Sequence, residues 1–98
     1  MDEQLNWHSE GSQLTLAGVL TRDTLAPLWA QRETSMKQID TIDVSALEHV
    51  DSAGLALLIH LRQIAQRQGQ TPAFTGVTDK LQSLITLYNL QQIIASRP

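Results

Sequence analysis

The stretch Val50–Leu61, "VDSAGLALLIHL", runs Asp-Ser-Ala-Gly directly into seven residues of which six are aliphatic or alanine. Asp51 and Ser52 are of the types that accept hydrogen bonds from the unpaired N–H groups of a helix's first turn. Helical spacing then continues as far as Gly69, which predicts a helix over Ala53–Gln68. Ser52 reads as its cap, Asp51 as a charge favoured by the positive end of the helix dipole, and Gly54 as a point of close backbone packing. With Leu55 as reference and about 100° per residue, Leu58, Ile59, Arg62 and Ala65 lie within about 80° of it, a stripe wide enough to pack on a sheet. Ala56, Leu57, Leu61 and Ile64 cover much of the remaining circumference, and the clearly polar positions fall mostly in the second half. The opening turns are therefore either deeply buried or carry a face reserved for a partner. In a chain of 98 residues, complete burial of an early helical turn is hard to arrange, so the sequence favours the partner.

Upstream, "QLTLAGVL" alternates in the manner of a half-buried strand, and "EQLNWH" does so at Leu5 and Trp7. "SEGS" between them supplies a turn, so the chain opens on a hairpin. In "TRDTLAPLWAQRETSMKQ" the period becomes helical, with Leu25, Leu28, Trp29 and Met36 on one stripe. A helix from Thr24 to Lys37 follows, with Pro27 in its first turn. Trp29 reads first as core and second as an interface anchor. "TIDVSAL" is a short strand ending near Val44. "QTPAFTGV" is a last strand, with Pro72 marking an edge or an irregular start. "TDKLQSLITLYNL" is a third helix headed by Thr78 and Asp79, with Leu81, Leu84, Ile85 and Tyr88 on its apolar face, and "QQIIASRP" extends it. The order ββαβαβα makes an α/β fold, a mixed sheet flanked by helices on one side or both, as a single domain over residues 1–98.

Composition narrows the function. Hydrophobic content of 42% and charged content of 17% describe a folded chain rather than a disordered one. The net charge of −3 and the scatter of its seven basic residues argue against nucleic-acid binding. The chain has no cysteine, which fits a reducing compartment. The acidic, polar start lacks the pattern of a signal peptide. The longest apolar run falls far short of the ~20 residues that cross a bilayer. These features predict a cytoplasmic protein without direct membrane insertion. No phosphate-binding glycine loop occurs, so the chain is not itself an ATPase. His8, His49 and His60 lack metal-ligand spacing, Asp43 reads as a partner for turn N–H groups, and nothing places a base beside Ser52. No enzyme activity, metal or cofactor is predicted.

The strand "IDVS", the loop "VDSAGLALL" and the segment "GVTDKLQSLITLYNL" together resemble the STAS domain, shared by anti-sigma-factor antagonists and the cytoplasmic tails of sulfate transporters. The resemblance spans nearly the whole chain and is most specific at Asp51-Ser52-x-Gly54 after Asp43. Within the family, "APLW", "GLALLIHL" and "LYNL" look most like the branch of small cytoplasmic subunits of an ABC transporter that maintains outer-membrane lipid asymmetry. That resemblance implies a non-catalytic subunit bound to the transporter's ATPase subunit, and through it to the inner-membrane permease complex, peripheral to that membrane. On this reading Asp51, Ser52, Ala53, Gly54, Leu55, Leu57, His60 and Trp29 are the partner-binding residues. The alternative is an anti-sigma antagonist, in which the serine matching Ser52 is phosphorylated. A phosphate there adds about −1.5 to −2 charges, which a helix N-terminus tolerates and a protein interface beside Asp51 does not.

Overall fold

The computed structural model describes residues 4–90, 94, 96 and 97. Strands β1 (Leu5–Glu10) and β2 (Gln13–Leu20) form the expected antiparallel hairpin, closed at the pair Glu10 and Gln13. Beyond it come two short helices, α1 (Ala26–Ala30) and α2 (Arg32–Ser35), then β3 (Thr41–Val50) and the long helix α3 (Ser52–Arg67). Strand β4 (Ala73–Thr75), helix α4 (Asp79–Leu87) and the two-residue strand β5 (Ser96–Arg97) complete the order. The strands lie side by side in sequence order, with β2 to β5 parallel. Every crossover thus steps the same way across the sheet, and right-handed connections then place all the helices on one face.

Burial agrees with that arrangement. Leu14, Leu16 and Leu20 of β2, Ile42, Val44 and Leu47 of β3, and Phe74 of β4 are buried beneath the helices. The intervening Thr15, Asp43 and Thr75 are only half-buried. The result is a mixed sheet with a helical layer on one side.

Three elements depart from expectation. Strand β3 runs on to Val50 instead of ending near Val44. Its buried positions shift from even to odd numbers between Val44 and Leu47, and its register on β2 slips there. Such a bulge inverts the alternation from which a strand's end is read. Asp43 stabilises the bulge, its Oδ1 accepting the Ser45 N–H at 2.9 Å.

The expected helix Thr24–Lys37 is broken at Gln31, whose backbone (φ −109°, ψ 17°) leaves helical geometry. Trp29 and Met36 are seven residues apart, within about 20° of one another on an unbroken helix. The break separates them: Met36 is fully buried, whereas Trp29 stays 37% exposed. Trp29 is therefore not a core residue.

Helix α4 ends at Leu87, before "QQIIASRP". Asn89 adopts φ 58°, and the Leu90 N–H donates to the Ile85 carbonyl at 2.9 Å while Asn89 N–H donates to that of Thr86 at 3.0 Å. This left-handed stop turns the chain out of the helix, so Tyr88 is 49% exposed instead of lying on the apolar face. Within the extension, Ser96 and Arg97 pair with β4 as a strand, so β4 has a neighbour on each side and Pro72 marks its start rather than an edge. The remaining expectations for this extension, over residues 91–93, 95 and 98, lie outside the described residues.

Gly54 holds α3 to the sheet. A Cβ at this position would overlap the carbonyl oxygen of Leu20, at the end of β2. Alanine in place of glycine ordinarily stabilises a helix interior by roughly 1 kcal/mol. Here Gly54→Ala is expected to destabilise the fold by about 1–3 kcal/mol, as overpacking does. A thermal melt checks the sign, since a raised midpoint contradicts the close approach.

Candidate functional site

The cap of α3 is Asp51, not Ser52. Asp51 sits in extended backbone (φ −101°, ψ −175°), and its Oδ1 accepts the Gly54 N–H at 2.8 Å. Its Oδ2 accepts the Arg22 N–H at 3.1 Å, from the loop after β2, and its own N–H donates to the Leu20 carbonyl at 3.3 Å. One carboxylate thus ties the helix start to the β2 end. Ser52 becomes the first helical residue, with its side chain exposed and free of the capping task.

The leucines that follow are not surplus. Leu55 and Leu57 are each 2% exposed, and Leu58 and Leu61 are fully buried. The expectation that the opening turns of α3 carry more apolar surface than the domain can hide is therefore overturned. Helix α3 packs against both β3 and α4, and α1 and α2 border it through Trp29 on His60 and Glu33 on Arg67. Covered from three directions, it hides even a helix apolar nearly all round. Gly54 and Leu57 are buried and shape the site from beneath, while Leu55, 2% exposed, forms part of the lining of the adjoining cleft.

What stays accessible is a narrow outer stripe. Ser52, Ala56 and His60 are exposed and Ala53 and Ile59 half-buried. Beside the first turns of this stripe lies an apolar cleft of about 170 Å³, lined by Ser52, Leu55, Ala56, Ile59, Tyr88 and Leu90. Its far wall comes from the chain reversal that ends α4. Leu87, 74% exposed, lines a different concavity with Gln82, Ser83 and Thr86. The Ser52 hydroxyl thus stands at the edge of an apolar concavity with one large amphipathic aromatic, Tyr88, the composition typical of an interface centre.

His60 and Trp29 meet further along α3, edge to face, with centroids 5.1 Å apart and planes at 79°. The structure therefore gathers Ser52, Ala53, His60 and Trp29 at the accessible side of one helix, with Asp51 holding its start. Tyr88 and Leu90 were missed from sequence. The signal was present in Asn89, a residue that readily takes the left-handed conformation closing a helix. His8 and His49 are exposed on β1 and β3, the latter in a strand rather than a loop. Among the described residues, no group of three or more His, Cys, Asp or Glu side chains converges on a point, and no helix is long and apolar enough to cross a membrane.

A sheet with one helical layer, and a capped helix presenting a free hydroxyl at its first turn, define a class. The family model described as "Mlab, STAS domain" matches residues 3–95, and the chain belongs to the STAS-domain family in that form. It is 44% identical over 97 residues to the intermembrane phospholipid transport system binding protein MlaB of Escherichia coli K12, covering 99% of this chain and 100% of that one. To the protein of the same name from Haemophilus influenzae it is 33% identical over 102 residues, covering 94% and 97% of the two chains. Among solved structures, the anti-sigma-factor antagonist (STAS) domain protein of Planctomyces limnophilus superposes with a TM-score of 0.71 at 12% identity, covering 99% of this chain and 91% of that one. The Bacillus cell fate determinant SpoIIAA in its phosphorylated form gives 0.66 at 12% identity, covering 96% and 91%. These two likenesses establish the fold.

The division of labour at the helix start predicts an unequal pair of substitutions. Asp51→Ala strands two backbone donors, on Arg22 and Gly54, and is expected to cost about 1–2 kcal/mol. Ser52→Ala removes no cap and should stay within about 0.5 kcal/mol of the parent. Urea denaturation of both variants reads the difference, and the reverse ranking would contradict Asp51 as the cap.

Proposed function

We propose that the chain is a non-catalytic subunit of an ABC transporter that moves phospholipid between membranes, and that it binds and supports the transporter's ATPase. Its relatives' names, as binding proteins of an intermembrane phospholipid transport system, support the setting. The observation that carries the binding role is the exposed stripe of α3: Ser52, relieved of capping by Asp51, opens beside the cleft bounded by Tyr88 and Leu90. An ATPase partner seated there would bury the cleft and the Tyr88 ring, with Ser52 supplying fit at the interface edge. On this reading the chain resides in the cytoplasm and meets the inner membrane only through its partner.

The exposed hydroxyl at the first helical position also favours a second reading, an anti-sigma antagonist switched by phosphorylation of Ser52. A phosphate there is tolerated by the helix N-terminus and expels a partner by charge and desolvation. Incubation with a candidate serine kinase and ATP separates the readings: stoichiometric phosphate on Ser52 supports the second.

Three outcomes follow from the first reading. The chain co-purifies with the ATPase subunit encoded with its transporter, and removing it lowers the ATPase activity of the complex. Ser52→Glu and Ser52→Arg weaken that association by roughly tenfold or more, about 1.4 kcal/mol, without shifting the melting temperature. Tyr88→Ala costs about 1–2 kcal/mol of binding, as interface aromatics do. Isothermal titration calorimetry checks the affinities. Affinity unchanged in all three variants would contradict this face as the docking surface.

A further inference from the structure

We infer that the second half of α3 carries a separate docking groove for an acidic segment of the partner protein, built from Trp29, Arg32, His60 and Arg67. The inference rests on the partner-binding reading above and adds a second site to it. The groove measures about 680 Å³, and its walls come from α1, α2 and the last turns of α3. That volume lies in the range of ~300–1,000 Å³ usual for ligand-holding concavities.

Its charge runs against that of the molecule. The whole chain carries −3, yet the groove is lined by the guanidiniums of Arg32 and Arg67 with Glu33 as the lone carboxylate. The Arg32 guanidinium lies 3.9 Å from the centroid of the Trp29 ring, and its Nη1 donates to the Trp29 carbonyl at 2.7 Å. Stacking and this bond hold the group in place while other donors of its planar fork stay free for a carboxylate. The His60 ring, nearly perpendicular to the indole, also packs against it.

Arg67 is held differently. Its Nη2 contacts Glu33 Oε2 at 2.9 Å, with the two side chains 66% and 59% exposed. An ion pair that open to water contributes little to stability and exchanges readily for an incoming carboxylate. The groove also continues the Ser52 face. Ser52, Ala56, His60, Gln63 and Arg67 fall on one side of α3, which spans about 22 Å from first to last at ~1.5 Å per residue. A partner seated on Ser52 therefore reaches the arginines with a neighbouring segment. Bidentate pairing of guanidinium and carboxylate selects Asp or Glu on that segment.

The test measures affinity for the cognate ATPase subunit by calorimetry at about 0.1 M and about 1 M salt, between which the screening length falls from ~10 Å to ~3 Å. R32Q/R67Q is expected to bind roughly tenfold more weakly than the parent at the lower salt, and to show a flatter salt dependence. R32K/R67K, which keeps the charges but not the planar fork, recovers only part of that loss, and K80Q, a lone cation on α4, stays within about twofold of the parent. Melting temperatures of all variants establish that the fold is intact. Parent-like affinity of R32Q/R67Q, or a loss no larger than that of K80Q, overturns the groove while leaving the Ser52 face standing. Failure of the parent itself to bind overturns the functional reading, and the groove with it.

Discussion

The carboxylate of Asp51 is the constraint from which the rest of the site follows. It accepts one N–H from inside α3 and another from the loop after β2, while its own backbone binds the end of β2. Gly54, one turn into the helix, then presses against the same Leu20 carbonyl that Asp51 engages. Helix start, strand end and loop are fixed by adjacent contacts over four residues. Because an acid carries the cap, the serine that follows is exempt from it. The accessible hydroxyl is thus a consequence of how the helix is anchored.

The leucines of α3 belong to stability. Fully burying one such side chain is worth ~1.5–3 kcal/mol, and Leu55, Leu57, Leu58 and Leu61 are all withdrawn from solvent. Exposing any of them to a partner would cost the fold more than a typical contact returns. The surface left for binding is the narrow stripe that the sheet, α4 and the α1–α2 pair leave uncovered, completed by the reversed chain at Tyr88 and Leu90. On the proposed reading, binding occupies what the core cannot use. Its two ends differ in kind, apolar at Ser52 and cationic at Arg32 and Arg67.

Much of this was legible in the residues. The hairpin, the long helix and its glycine, the Thr78 cap of α4 and the α/β order of elements all follow local rules, and the structure shows those elements. What local rules missed depended on tertiary balance. The bulge in β3 moved Leu47 onto the core face and disguised the strand's continuation. The break at Gln31 released Trp29, which periodicity had assigned to the interior. Between two adjacent cap candidates, Asp51 prevailed because only it also meets the Arg22 N–H, a partner 29 residues away that no local pattern reveals. The supposed excess of apolar surface failed for the same reason: how many neighbours cover a helix is not written in the helix.

These pieces describe a small STAS domain whose anchored helix start leaves an accessible stripe, the face proposed for binding, while its leucines stay in the core. The most direct check of that account is an NMR titration of the isotope-labelled chain with the cognate ATPase subunit. Amide signals of Ser52, Ala56, Ile59 and Tyr88 should shift or broaden, while those of β1 and of the uncovered sheet face around Thr15 and Asp43 stay in place. Perturbation confined to the sheet face, with the Ser52 stripe unmoved, would contradict it.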